Sequence, residues 1–560
     1  MIDKLTTQRF NTIDVISDAN RLDIIVGNAV LELLQDEDFQ SYWDNLYTSC
    51  SWATIFQSRE FVTAWYQVYY QIYQPIIVIR HKHGKLTGVL ALCFTDNKYI
   101  SGAGLEQAEY QVWLSFDTDN GKFAQDALKM ITQQFPKFKL RLKYVPEKAP
   151  LKGMIYDKYL KSRIHLRFVK QPLLRIDDNR LNKELKKKNR KEKLNRLRRL
   201  GELRFERIVD FQVFNSVFNE LAMQYDFRKA AMFNSTFFHY DDYRKRFLLK
   251  LFENQLLHAT LLKINDEIIA SNVGVIGKGC VHLQGINSHA PTYSKYSPGI
   301  LHFLMLGKLL SNENIEVFDL TPGADSYKER LATEFGKVSE LIVSKDVKKQ
   351  FFKRIHLGFK SKLKSNLLKL GIDNNDLKIF KKKCSLLKEK IKVYVQLSPL
   401  VVFDLLHHLI KANTGLNTYC IDEKGNGESH ILEKNINKNS LVDLLNYSQV
   451  GGIQSRWEFL EQSMLRLERG ECSYTWRESG HLKGCAWYEP SKQTTDRGGS
   501  SFGESVVLKN VYLHPKEDMA SLSCFLQIVA RKLICEDRVE KVYVSVISNT
   551  VIDRYMKQIR

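Results

Sequence analysis

The chain has 560 residues, 44% of them hydrophobic, and a formal net charge of +21. That length suits three or four domains with sizeable cores. Its charge is local: Lys183–Arg199 carries +8 and Lys345–Lys392 carries +12, so the remainder is nearly neutral and a uniformly basic nucleic-acid-binding body is excluded. Nine cysteines, an odd number with no CxxC pair, argue against a disulfide framework and a zinc knuckle and fit a reducing interior.

Met1–Asn20 lacks the apolar core of a signal peptide, and no apolar run reaches the about 18 residues of a membrane span. A cytoplasmic protein is therefore expected. Ile24-Ile25-Val26 begins the folded chain as a strand. Ser58 is placed to cap a helix whose inner face carries Phe61, Ala64, Trp65 and Val68, an aromatic stripe read as core. Strands over Pro75–Arg80 and Leu86–Phe94 flank a turn at His81–Lys85. His81 and His83 have no third ligand nearby in sequence, and no metal is expected. A helix near 119–134 and strands near 138–145 and 164–169 complete a first half.

Lys183–Leu200 follows as a basic helix with a thin leucine stripe, stopped by Gly201. It reads either as a solvated helix packing along one edge or as an arm contacting phosphate. A second αβ half runs through Leu256–Ile264, Glu267–Gly277 and Cys280–Asn287 into the stretch Tyr296–Leu331. There Ser297-Pro298-Gly299 opens a helix, with Ser297 as N-cap and proline in the first turn, and the free N–H groups and Gly299 suit a phosphate. A short strand ends at Asp319, and Thr321-Pro322-Gly323 turns into a second helix carrying Tyr327 and Lys328. Residues 345–395 form a basic amphipathic segment that packs on its own body or lies on an anionic membrane surface. Residues 396–560 read as a separate αβ domain.

Phe56-Gln57-Ser58 with Phe61 and Trp65, the Gly84/Gly88 hairpin, Glu109-Tyr110, the arm ending Leu200-Gly201, Ser297-Pro298-Gly299 and Asp319–Gly323 with Tyr327-Lys328 occur in an order that resembles the GNAT superfamily. The likeness is to its two-lobed cellulose-biosynthesis-type acetyltransferases, themselves similar to Fem-type peptidyltransferases. It spans about residues 40–345. Val511–Pro515 and Val542–Asn549 resemble GNAT strands as well, but the following loop, Lys516–Ser521, has two acids and no glycine where the family's pyrophosphate loop is basic and glycine-rich.

The resemblance implies an α/β (α+β) fold of tandem GNAT-like lobes, mixed central sheets flanked by helices, with a third GNAT-like domain. The expected divisions are 1–175 and 203–345 for the lobes, 176–202 for the arm, 346–395 for a linker and 396–560 for a degenerate third domain. It implies acyl-CoA, acetyl-CoA above all, as co-substrate, and an amine on an amino sugar or polysaccharide precursor as acceptor. The implied roles are charge stabilisation by Lys328, proton donation by Tyr327, base or substrate anchor by Asp319 or Glu109, substrate contact by Glu109 and Tyr110, and cofactor contact by Ser297 and Gly299. Two alternatives stay open. One is a Fem-like aminoacyl-tRNA-dependent transferase, although the arm is shorter than Fem paired helices; the other is a non-catalytic scaffold in a polysaccharide pathway. Lys183–Arg199 and Lys345–Lys392 are the expected contacts to an anionic membrane surface or polyanion, peripheral to the inner membrane face; DNA is not expected.

Overall fold

A computed structural model describes residues 20–95, 99–323, 325–344, 382–389, 415–421, 435–449, 454–490, 505–537, 539–548 and 551–558. The chain divides into two compact units. One comprises Met1–Phe218, Asp241–Asn287 and Gly299–Leu370; the other comprises Asn219–Tyr240, Ser288–Pro298 and Gly371–Arg560.

The first unit is built on β1 (Asn20–Val26), β2 (Pro75–Lys82), β3 (Lys85–Thr95), β4 (Tyr99–Gly102), β5 (Leu114–Ser115), β6 (Lys139–Pro146) and β7 (Ile164–Arg175). It continues with β8 (Leu203–Ile208), β9 (Leu257–Ile264), β10 (Glu267–Gly277), β11 (Cys280–His289), β12 (Val317–Asp319) and β13 (Glu334–Val343). Its helices are α1 (Asn28–Leu33), α2 (Glu37–Ser49), α3 (Arg59–Tyr69), α4 (Lys122–Gln134), α5 (Lys152–Tyr156), α6 (Asp178–Lys186), α7 (Lys188–Arg198), α8 (Phe211–Phe233), α9 (Asp242–Glu253), α10 (Pro298–Asn312) and α11 (Ser326–Leu331). Residues 219–233 of α8 group with the second unit.

Local chemistry accounts for many of these limits. The Ser58 hydroxyl caps α3 by accepting from the Phe61 amide. Phe61 and Trp65 are fully buried, and Phe61 meets Phe247 of α9 edge to face at 5.4 Å, so the aromatic stripe is core, as read. The β2–β3 turn runs through His83 and Gly84, both at positive φ (49° and 75°), the left-handed pair a two-residue hairpin needs.

All thirteen strands form one sheet in the order β1-β2-β3-β4-β6-β13-β7-β12-β11-β10-β9-β8, with β5 on β3. Read inward from either edge, the order is the same. Four strands are followed by a parallel step, β4 to β6 on one side and β11 to β12 on the other. An antiparallel closing strand follows, β13 against β6 and β7 against β12. The closing strands are exchanged: β7, which ends the first half in sequence, closes the second, and β13 closes the first. They meet antiparallel at the centre, where Val169 faces Val338. The sheet is therefore a pseudo-twofold pair of mixed αβ lobes, and neither half holds its own last strand.

The basic arm is two helices, where one was expected. The chain breaks at Lys187, whose ψ of 135° is not helical. Leu181 and Leu197 are buried, and Leu181 lies against Gly307 of α10, where a Cβ would meet it at 3.0 Å. The arm thus packs along one edge, while Leu200 remains 49% exposed.

The second unit holds a six-stranded sheet in the order β14 (Leu416–Cys420), β19 (Lys541–Ile547), β18 (Ser505–Leu513), β17 (His481–Tyr488), β16 (Cys472–Glu478) and β15 (Ile436–Lys438). Its one parallel step is β18 to β19 and its other pairings are antiparallel, so each lobe's pattern recurs. Here β14, ahead of the other five in sequence, takes the closing place. Phe227, Ala230 and Ala231 of α8 join Leu444, Phe459 and Trp487 in a core cluster, and the Trp457 indole donates to the Ala231 carbonyl at 3.1 Å. Of the basic segment 346–395, only 382–389 lies within the described residues; it is helical, and Lys382 pairs with Glu461 at 2.6 Å.

Candidate active site

Strands β11 and β12 are paired over three rungs only: Cys280 with Val317, Val281 with Phe318 and His282 with Asp319. Beyond the last rung β12 stops and β11 runs on to His289. Alternate residues of a strand share a face, so Cys280 and His282 lie on one side of the sheet, with Asp319 beside His282.

Asp319 is 1% exposed. Its Oδ2 accepts from the Tyr110 hydroxyl at 2.5 Å and from Gln171 Nε2 at 3.0 Å, and faces His282 Nδ1 at 3.2 Å. Its Oδ1 accepts from the Thr321 amide at 2.8 Å. Gln171 also donates to the Tyr110 oxygen at 2.8 Å. Tyr110 is set by Gln57, whose Nε2 donates to the Tyr110 carbonyl at 2.8 Å, and Phe56 lies against the His282 ring at 5.0 Å. Both lobes and an exchanged strand, β7, thus converge on one carboxylate.

Burial disfavours a charge on Asp319, but the hydrogen bonds and charge of His282 and the bond from Tyr110 outweigh it and hold the acid below its usual range. Burial likewise acts to lower His282; Cys280 and Asp319 overcome it and raise the imidazole to about 10. The site is therefore ionised, with a carboxylate and an imidazolium side by side.

Lys328, on α11, is 6% exposed; its Nζ donates to the Thr321 hydroxyl at 3.0 Å and carbonyl at 3.2 Å. Burial lowers its pKa against the opposing pull of Asp325, Glu109 and Asp319. Gly323, at φ 157°, brings the turn close: a Cβ there would lie 3.4 Å from Lys328 Nζ. Glu109 is raised, chiefly by burial, although Lys143 sits 3.3 Å from it and is itself shared with Glu106 at 3.2 Å.

The pseudo-twofold exposes an asymmetry. Asp319 pairs with Leu173, four residues after Val169, and Arg141 pairs with Ile342, four residues after Val338. The parallel rungs agree, since His282↔Asp319 corresponds to Ser101↔Arg141. Where the second lobe has His282 and Asp319, the first has Ser101 and Arg141, and Arg141 pairs with Glu340 at 2.9 Å. The ionised pair exists in one lobe only.

Among the residues expected from sequence, Asp319 and Tyr110 are bonded to each other, and Lys328 and Glu109 lie within electrostatic reach of the pair. Tyr327 packs with the second lobe's apolar core, its ring stacked on Phe303 at 6.1 Å. Ser297 has the left-handed φ of 55°, where an ordinary N-cap is extended, and Gly299 lies in the first turn of α10. His282, Cys280, Gln171, Lys143 and Thr321 were not anticipated. The Cys280-Val281-His282 spacing on a strand was the one readable signal; Gln171 and Lys143 owe their positions to strand exchange and register.

Cys280, His282 and Asp319 also offer three metal-ligand atoms within 4.8 Å of one another. Zinc bond lengths of about 2.0–2.3 Å put tetrahedral ligands roughly 3.3–3.8 Å apart. His282 Nδ1 and Asp319 Oδ2 are 3.2 Å apart, but to bind a metal Asp319 would have to give up donors it already holds. A cavity of about 370 Å³ lies elsewhere, lined by Arg21, Asp23, Glu32, Asp36 and His81 beside β1, α1 and β2.

Residues 185–329 match the acetyltransferase (GNAT) domain Acetyltransf_6. The match runs from the basic arm into α11, so the part of the second lobe that carries Cys280, His282, Asp319 and Lys328 is similar to a GNAT-type acetyltransferase domain. Among solved structures the chain is similar to FemX, at 12% identity over 54% of this chain and 95% of that one, with a TM-score of 0.39. It is similar to a tandem GNAT protein from the clavulanic acid biosynthesis pathway, at 10% identity over 58% and 98%, with a TM-score of 0.34. A conserved protein of unknown function from Bacteroides thetaiotaomicron matches at 11% identity over 55% and 97%, with a TM-score of 0.37. A search of curated proteins found no match.

Proposed function

We propose that the protein is an acyl-CoA-dependent N-acyltransferase acting on an amine of an amino sugar or cell-envelope precursor. The observation that carries this reading is the buried cluster of Asp319, Tyr110, His282 and Lys328 at the β11–β12 divergence, with Asp319, His282 and Lys328 inside the matched acetyltransferase domain. Acyl transfer needs a deprotonated amine, a stabilised thioester oxygen and a protonated leaving thiol. Glu109, raised by burial, is poised to accept the amine proton. Lys328, anchored on Thr321, supplies positive charge to the developing oxyanion. Tyr327, beside Lys328, is assigned to protonate the leaving thiol. Asp319, held ionised by four donors, is a weak base and serves instead to fix Tyr110 and His282. Ser297 and Gly299 at the start of α10 are assigned to the acyl-CoA phosphates.

The second unit is read as a further GNAT-like domain that does not carry the chemistry. Its loop acids are already engaged: Glu517 pairs with Lys483 at 2.5 Å and Asp518 accepts from the Ser521 amide at 2.8 Å. The arm α6–α7 is assigned to an anionic surface or polyanion, its exposed lysines facing outward from the buried leucines.

The test is turnover of acetyl-CoA with a panel of amino-sugar acceptors, followed by thiol release. Lys328→Ala should lower kcat/KM at least about tenfold, roughly 1.4 kcal/mol of transition-state stabilisation. Unchanged turnover in that variant would remove Lys328 from the chemistry.

A further inference from the structure

Cys280 has no part in the mechanism above, yet it is placed to react. It is half-buried, where Cys50, Cys93 and Cys485 are enclosed. Its sulfur, an imidazole nitrogen of His282 and an Asp319 oxygen lie within 4.8 Å of one another. Asp319 engages His282 at Nδ1, which leaves Nε2 as the nitrogen that passes a proton on. Tyr110, Gln171 and the Thr321 amide fix the carboxylate in turn. The trio has the order of an activated nucleophile: a thiol, a base and a group that orients the base. The same donors count against a metal, since Tyr110 and Gln171 already donate to Asp319 Oδ2 and the Thr321 amide to Oδ1. No counterpart exists across the pseudo-twofold, where Tyr99, Ser101 and Arg141 stand in place of Cys280, His282 and Asp319.

We propose that Cys280, with His282 as its base and Asp319 as the positioning residue, is a nucleophilic thiol that receives an acyl group from a thioester donor before the amine does. The Cys280 proton is held by His282 as the imidazolium, and Sγ attacks the thioester carbonyl as the thiolate. A new carbon–sulfur bond forms to Cys280, the donor's carbon–sulfur bond breaks, and the donor leaves as a thiol carrying the proton from His282. One thioester replaces another, so no oxidant, reductant or further reactant is needed. The proposal rests on the acyltransferase reading.

The experiment uses the full chain without acceptor. Intact-mass and peptide analysis follow exposure to acetyl-CoA and, separately, to the small thioester S-acetyl-N-acetylcysteamine, which needs no nucleotide recognition. Iodoacetamide labelling across pH runs in parallel, with exposed Cys420 and Cys535 as internal references. The expected result is an acetyl adduct on Cys280, absent in Cys280→Ser, and Cys280 alkylation at neutral pH at least about tenfold faster than the references. His282→Gln should abolish that advantage, and wild-type labelling stands even if the variant folds poorly. An adduct from the small thioester alone would uphold the thiol and overturn the acyl-CoA reading. No adduct from either donor would overturn the proposal. So would Cys280 alkylation at the rate of the references, or labelling that becomes fast only after a chelator, which would point to a bound metal.

Discussion

Asp319 shows how one carboxylate is held ionised in a dry setting. Three donors and the neighbouring imidazolium offset a desolvation cost that would otherwise neutralise it. The pair has a definite pH signature. His282 is raised from 6.5 to about 10, so its share of stability is whole below about 6.5 and is lost as pH climbs through 10. Asp319 is depressed from its ordinary 3.8, so its share is whole above that value and is lost as pH falls below it. Stability from this pair should therefore be greatest between about pH 4 and 6.5. Denaturant unfolding across pH should show an alkaline decline in the wild type that His282→Gln flattens. An unaltered alkaline slope in that variant would mean the imidazole is neutral when folded. Asp319→Ala should cost about 3 kcal/mol, because it strands Tyr110, Gln171 and a buried imidazolium together.

The exchange of β7 and β13 governs behaviour at the level of elements. Removing β13 uncovers both β6 and β7, two rows of backbone hydrogen-bonding groups in the middle of the sheet. The lobes should then fail as separate pieces. Fragments 20–175 and 176–344 are each expected to lack a cooperative thermal transition by circular dichroism, and to regain one when mixed. A sharp transition in either fragment alone would show that the exchange is dispensable. The sequence places nearly every strand within a few residues, because alternation, turn glycines and caps such as Ser58 are local. It also assigns β7 and β13 to the halves in which they are encoded, and nothing in Ile164–Arg175 or Glu334–Val343 by itself says that they cross over.

For the whole molecule, the charge of +21 resides largely in two segments. In α6–α7 some of it is answered locally, Glu184 by Lys187 and Arg190, and Glu192 by Arg196. Such exposed pairs contribute little to stability, so most of the positive field remains available. Binding of the full chain to anionic vesicles or to RNA should fall steeply between low and physiological salt. Replacing Lys186, Lys188, Lys191 and Lys193 by Glu should abolish the α6–α7 share of it. Salt-independent binding, or none at low salt, would leave the arm with packing as its sole role. Among the described residues, no helix is long and apolar enough to cross a membrane.

What the sequence by itself determined is the set of local units: the capped α3, the His83-Gly84 hairpin, the β9–β11 meander and the Thr321–Gly323 turn into α11, each specified by neighbours a few residues apart. Its resemblance to the GNAT superfamily also pointed to Asp319, Tyr110, Glu109 and Lys328. Only the tertiary structure decided that Tyr110 and Asp319, 209 residues apart, share a hydrogen bond. It alone brought Gln171 to them on an exchanged strand, and turned Cys280 and His282 from an unremarked pair into partners of Asp319. Hydrogen bonds and ion pairs act over a few ångströms in space, and which groups come that close is set by the register and exchange of whole strands.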